Sequence, residues 1–230
     1  MDRITGRKVA AWRRPYQARL CHLAWYGGQL IPTVAGMDLA LITFDQFTDV
    51  DLFLPWDLLH RPREESWTIR ILGTADEHVS ATGLPVRTHG TIDEAADADV
   101  VVFGSGRGVR HRLADPDWLG RLQLDPERQL IGAMCAGSLV LAALGLLDGL
   151  TATTYPTATA ELEAYGVTVV ERPFVRHGNV ATAAGCLAAQ ALTGWIITTL
   201  LGETAAARAL TAIQPLGEGL SFADGARLAY

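Results

Sequence analysis

The stretch that most constrains this chain runs from Gln129 to Leu147 and changes character at one residue, Cys135. The run before Cys135 is short, apolar and of strand length. After it, Leu139, Leu141, Ala142, Leu144, Leu146 and Leu147 are dense enough for a helix buried on most sides. Ala133 and Gly137, two residues to either side, are small, as a sharp strand-to-helix turn requires if its central side chain is to project above the end of a sheet. The pattern is that of a nucleophile elbow with cysteine in place of serine. Free backbone N–H groups at the start of the following helix would lower the pKa of a thiol held there. Cysteine is also one of the most often buried residue types, so the same position reads equally as plain core until its surroundings are known.

Those surroundings alternate between strand and helix patterns from Met37 onward. Residues 39–44 form a continuous apolar run, as expected for a parallel strand covered on both faces. A loop at 45–48 leads to a helix carrying Val50, Leu52, Phe53, Trp56, Leu58 and Leu59. Residues 67–72 read as a second strand, and 79–89, centred on Thr82-Gly83-Leu84-Pro85, as a hairpin or arm on the sheet edge. A short acidic helix over 92–98 precedes a buried strand over 99–103, the Gly104-Ser105-Gly106-Arg107-Gly108 loop and a helix around 115–122. Beyond the elbow, strands at 150–155 and 167–170 flank a helix at 159–165. A hairpin follows at 174–183, then helices over 185–201 and 203–213. This order predicts an α/β, doubly wound sheet that binds ligands at the carboxyl ends of its strands. Phe44, Phe103 and Met134 all end strands, so the loops after them should share one crevice.

The chain has 230 residues, 49% of them hydrophobic, which permits one large domain with a full core. A formal net charge of -6 argues against nucleic acid or an anionic membrane as the main partner. Cys21, Cys135 and Cys186 are odd in number and lack disulfide-framework spacing, which fits a reducing, cytoplasmic setting. The apolar runs near 131–147 and 181–201 are broken by Gly, Ser, Thr and Gln and read as core helices, not membrane spans. Residues 1–36 differ from the rest: Arg3, Arg7, Lys8, Arg13, Arg14 and Arg19 are opposed only by Asp2, without the apolar centre of a targeting peptide. They are expected to be a loosely ordered extension, or to precede a true start at Met37, with the α/β domain spanning 37–230.

Asp51 follows the first strand. A carboxyl held near a thiol can move protons between thiol, substrate and water. The same residue completes Thr48-x-x-Asp51, a capping box for the helix, and the spacing leaves both readings open. The 104–108 loop is not a dinucleotide fingerprint, because the next strand ends at Met134-Cys135 without an acidic residue for the ribose. No nicotinamide cofactor is expected. A glycine-rich turn here can instead aim N–H groups at charge developing on a substrate, or be only a tight turn. His177 falls in a hairpin turn and is expected at the solvated surface. His22, His60, His78, His89 and His111 lack partners at ligand spacing, so no metal site is expected.

Taken together, these segments resemble the ThiJ/PfpI superfamily, and within it the isonitrile hydratase-like branch. The resemblance runs from Met37 to about Ala223. It rests on Phe44-Asp-Gln-Phe-Thr-Asp-Val-Asp51-Leu-Phe-Leu-Pro55-Trp-Asp57, Gly104-Ser-Gly-Arg-Gly-Val-Arg110, Ile131-Gly-Ala-Met-Cys135-Ala-Gly137, Leu146-Leu-Asp-Gly149-Leu-Thr-Ala152-Thr-Thr154 and Arg176-His-Gly-Asn179-Val-Ala-Thr-Ala-Ala-Gly185. It implies a flavodoxin-like three-layer sandwich with a mostly parallel central sheet, a homodimer, Cys135 as the reactive residue and Asp51 as its catalytic partner. Three positions depart from the pattern: Ala136 stands where that branch has Thr, Tyr155 where many members have His, and Gly104-Ser105 where the loop usually has Pro-Gly.

The activity so implied is cofactor-independent hydration of a small electrophile such as an isonitrile. The Cys135 thiolate attacks, Asp51 moves protons, and the backbone N–H groups of Gly106 and Ala136 stabilise developing charge, with Ser105 and Tyr155 beside the substrate. The alternatives are glyoxalase-like chemistry on a 2-oxoaldehyde with the same residues, and a non-catalytic redox or ligand sensor related to the sensing domains of transcription regulators.

Overall fold

Runs of β-branched and aliphatic residues with no polar alternation must be covered on both faces, and in this chain they become the centre of one sheet. The structure, a computed structural model, describes residues 36–224 and, before them, only the backbone of two strands, β1 (His22–Tyr26) and β2 (Gln29–Thr33), which pair antiparallel. The extension expected at 1–36 lies outside the described residues except for this pair.

Strand β3 (Met37–Ile42) leads into helix α1 (Asp49–His60). Asp51, Leu52, Pro55, Leu58 and Leu59 are its buried residues, at the three-and-four spacing of one helix face. Next come β4 (Trp67–Gly73), β5 (Glu77–Val79), β6 (Pro85–Arg87) and the two-residue β7 (Gly90–Thr91). Strand β8 (Val100–Phe103), wholly buried, is followed by α2 (Val109–Leu113) and α3 (Pro116–Arg121), the first of which the sequence pattern did not show. Strand β9 (Leu130–Met134) carries the elbow into α4 (Ser138–Ala143). The rest is β10 (Thr151–Ala152), α5 (Thr159–Ala164), β11 (Thr168–Val169), β12 (Phe174–His177), β13 (Val180–Ala183), α6 (Ala189–Leu201) and α7 (Glu203–Thr211).

Seven strands form the main sheet in the order β12-β13-β9-β8-β3-β4-β7, parallel throughout except for the β12–β13 pair. Helices α1, α6 and α7 pack together, and α2 to α5 form a second group; α6 and α4, from different groups, both touch β9. This is the flavodoxin-like α/β sandwich. The chain builds β4 and β7 on one side of β3 and then crosses to β8 and β9 on the other. Such a reversal of strand order opens a crevice at the carboxyl ends of the strands. Register keeps those ends level, with Ile42 beside Phe103, Phe103 beside Ala133 and Met134 beside Ala183.

Two local expectations need correction. The arm at 79–89 is not an edge of the main sheet: β5 and β6 pair with each other and lie over the loop after β3, where Gln46 N–H donates to Val79 O at 2.7 Å and Ala81 N–H to Phe47 O at 2.8 Å. Helix α4 also stops well short of Leu147. Gly145, at φ 72°, turns the chain in the left-handed region, and Leu146 and Gly145 N–H donate to the Leu141 and Ala142 carbonyls, a Schellman stop.

Candidate active site

Strand β9 ends at Met134, and the next residue, Cys135, has φ 46°. A non-glycine residue there is under backbone strain, which persists only if its neighbours hold it. Three do. The hydroxyls of Ser138 and Thr154, 2.8 Å apart, converge on the Cys135 carbonyl at 2.9 and 3.1 Å. Gly137 lies so close to the next strand's loop that a Cβ on it would fall 2.5 Å from Gly104 O. The elbow is therefore clamped from both sides, and the Cys135 residue is only 2% exposed.

Asp51, in the first turn of α1, is 1% exposed. Ser105 Oγ donates to its Oδ2 at 2.5 Å, while Oδ1 is buried with no hydrogen-bond partner. The capping box does not form: Thr48 makes no side-chain cap. Its backbone N–H, which the Asp51 carboxylate would have to accept, already donates to Ser105 O at 2.7 Å. Thus the loop after β8 takes both the capping donor and the carboxylate, and turns Asp51 into the crevice. Pro55 has no N–H to offer the Asp51 carbonyl four residues back, so that carbonyl is also outside the helical ladder.

A third group joins them, and sequence reasoning missed it. The Sγ atoms of Cys135 and Cys186 and a carboxylate oxygen of Asp51 lie within 4.8 Å of one another. Cys186 follows β13 through Gly185, which takes φ 85°. Because β13 runs parallel to β9, both cysteines leave the same end of the sheet. The available signal was that parallel order, which puts residues just past two adjacent strands side by side. Cys21 lies outside the described residues.

Burial first, and then the negative charge of Asp51, push the Cys135 thiol well above its ordinary range; Cys186 adds to this, and a hydrogen bond from the Gly185 backbone acts against it. Cys186 is raised by burial and next by Asp51. A lowered thiol pKa, expected from the helix terminus, is therefore not found. The helical turn after Cys135 is short, and a buried carboxylate outweighs its N–H groups. Burial and the facing Asp51 charge both favour the protonated Cys135 thiol.

The structure brings Asp51, Ser105 and Cys135 together. Gly106, at φ 151°, forms an isolated bridge with Phe47, and a Cβ there would meet Gln46 O at 2.2 Å. The glycine is thus required by this close approach, whatever its N–H does. Ala136 is 9% exposed at the elbow. Tyr155 is 45% exposed and lines a cleft of about 780 Å³ with Thr154, Arg172 and Gly185. Through Thr154 and Gly185 this cleft adjoins the elbow. His177 is not simply solvated: its Nε2 lies 3.0 Å from both Thr151 Oγ1 and Thr151 O. Among the described residues, no helix is long and apolar enough to cross a membrane.

Residues 37–199 match the profile of the DJ-1/PfpI family. Isonitrile hydratase of Pseudomonas putida is 29% identical over 157 residues, covering 66% of this chain and 67% of that protein. A ThiJ/PfpI family protein from Pseudomonas syringae superposes with a TM-score of 0.70 at 23% identity, over 84% of each chain. Schizosaccharomyces pombe DJ-1 superposes with a TM-score of 0.68 at 16% identity, over 78% of this chain and 100% of its own.

Proposed function

Given that the chain belongs to the DJ-1/PfpI family, we propose that it is a cofactor-independent hydratase that converts a small isonitrile to the N-substituted formamide. The observation that carries this reading is the pairing of a strained, buried thiol with a carboxylate anchored by Ser105. The similarity to the Pseudomonas putida isonitrile hydratase supports the choice of substrate class.

Asp51 takes the Cys135 proton as sulfur attacks the isonitrile carbon, then delivers it to that carbon, leaving a thioimidate in which carbon is bonded to sulfur, nitrogen and hydrogen. Asp51, again ionised, draws a proton from water as its oxygen adds to the same carbon, and passes that proton to the substrate nitrogen. The carbon–sulfur bond then breaks as the new hydroxyl becomes the carbonyl and its proton returns through Asp51 to sulfur, and the amide leaves; the sum is isonitrile plus water to formamide. Backbone N–H groups of Ala136 and Gly106 stabilise charge on the adduct. Substrate enters by the cleft that Tyr155 lines. The protein works as a homodimer in the reducing cytoplasm, where its thiols stay free.

The test is formamide production from a small alkyl isonitrile by the wild type, Cys135→Ala and Asp51→Asn, with circular dichroism to confirm folding. Turnover by the wild type alone is expected. Undiminished turnover in folded Cys135→Ala would refute the mechanism, and none in the wild type would refute the substrate.

A further inference from the structure

The hydration chemistry gives Cys186 no part, yet its sulfur completes a set of three donors, two thiols and a carboxylate, within 4.8 Å of one another. Tetrahedral zinc holds sulfur at about 2.3 Å and carboxylate oxygen at about 2.0–2.2 Å, which sets its ligands about 3.5–3.8 Å apart. The three groups need to draw in by at most about 1.3 Å to meet those distances.

A second observation points to a ligand. Asp51 Oδ1 is buried without a partner, a costly condition for a carboxylate oxygen. A disulfide between the two cysteines would use the sulfurs and leave that oxygen as it is. A cation satisfies all three atoms. Soft sulfur donors select a thiophilic ion over magnesium or calcium. Entry is available, because Cys186 is only partly buried and lines a shallow groove with Pro173, Leu187 and Gln190.

We propose that Asp51, Cys135 and Cys186 form a three-ligand site for a thiophilic divalent cation of the zinc class, with its fourth position toward the Cys186 groove. Three protein ligands and one open position are the arrangement of zinc sites that keep an exchangeable water. The bound ion and the free nucleophile exclude each other, so cation binding silences Cys135. The site itself does not depend on the hydratase reading.

The experiment titrates reduced, full-length protein with cadmium, following the ultraviolet thiolate-to-cadmium charge-transfer band, and with zinc in competition with a chelating dye. One equivalent is expected to bind. Zinc affinity should fall by more than roughly a hundredfold in both Cys186→Ala and Cys186→Ser, and by at least roughly tenfold in Asp51→Asn. Cys21→Ser should bind as the wild type does. No charge-transfer band in the wild type, or zinc affinity unchanged in folded Cys186→Ala and Cys186→Ser, overturns the site. Binding is read without substrate: a chain that binds the ion but hydrates no isonitrile keeps this site and loses the hydratase reading, and the reverse result does the opposite.

Discussion

Met134 of β9 and Ala183 of β13 are register partners in a parallel ladder, and that pairing is what brings Cys135 and Cys186 together. Cys135 is the first residue beyond one strand end, and Cys186 is three beyond the other. Gly185 turns the chain between them. A slip of one residue in this register would reverse the faces of β13 and separate the thiols.

Cys135 should alkylate slowly at neutral pH and gain rate only above the ordinary thiol range of about 8.5. Burial and the Asp51 charge both favour the neutral thiol. Removing the charge in Asp51→Asn should therefore move the profile to lower pH. Mass-spectrometric alkylation rates across pH read this directly, and an unmoved profile would mean that the two groups do not interact.

Ser105 Oγ donates to the buried Asp51 carboxylate. Ser105→Ala should cost about 1–3 kcal/mol in denaturant unfolding, since it takes that donor from a buried charged group. With an isonitrile substrate it should lower kcat more than it changes KM. Equal kcat in the variant and the wild type would remove Ser105 from the site.

Gly137→Ala should destabilise by about 1–3 kcal/mol, because the new methyl would sit 2.5 Å from Gly104 O and 3.1 Å from Phe103 O, both backbone atoms. At about 2–4 °C per kcal/mol the loss is visible in thermal unfolding. Gly120→Ala is the control: a Cβ there meets nothing within 4 Å, so its melting temperature should hold or rise.

Glu94 is held below its ordinary range by the Thr91 backbone N–H and then by Arg70. Its contribution to stability is full above the ordinary carboxyl range and is lost as pH falls through the lower folded-state value. Melting temperature should therefore be flat from neutral to about pH 5 and drop below about pH 4. Glu94→Gln should shallow that drop, and an identical acid limb in the variant would show that this carboxylate contributes nothing.

What was legible in the sequence was local. The apolar runs at β3, β8 and β9 and the small residues around Cys135 announce their own geometry, because burial on both faces leaves no room for polar alternation. Asp51 was legible as a residue but not as a choice: capping or crevice was decided by Ser105, 54 positions away, whose carbonyl and hydroxyl take both the capping N–H and the carboxylate. Cys186 was invisible as a site residue because only strand order puts it beside Cys135. The direction of the Cys135 shift was misjudged for a related reason. Helix N–H groups can be counted along the chain, whereas desolvation and a facing carboxylate belong to the assembled core.

The left-handed backbone at Cys135 also governs how this protein can change over generations. Serine or alanine would carry the same strain, of order 1–3 kcal/mol, and so gain no backbone relief while losing the thiol. Glycine relaxes the turn most fully. Cys135→Gly is thus the replacement that the backbone at this turn resists least, so the cysteine occupies the position at a conformational cost.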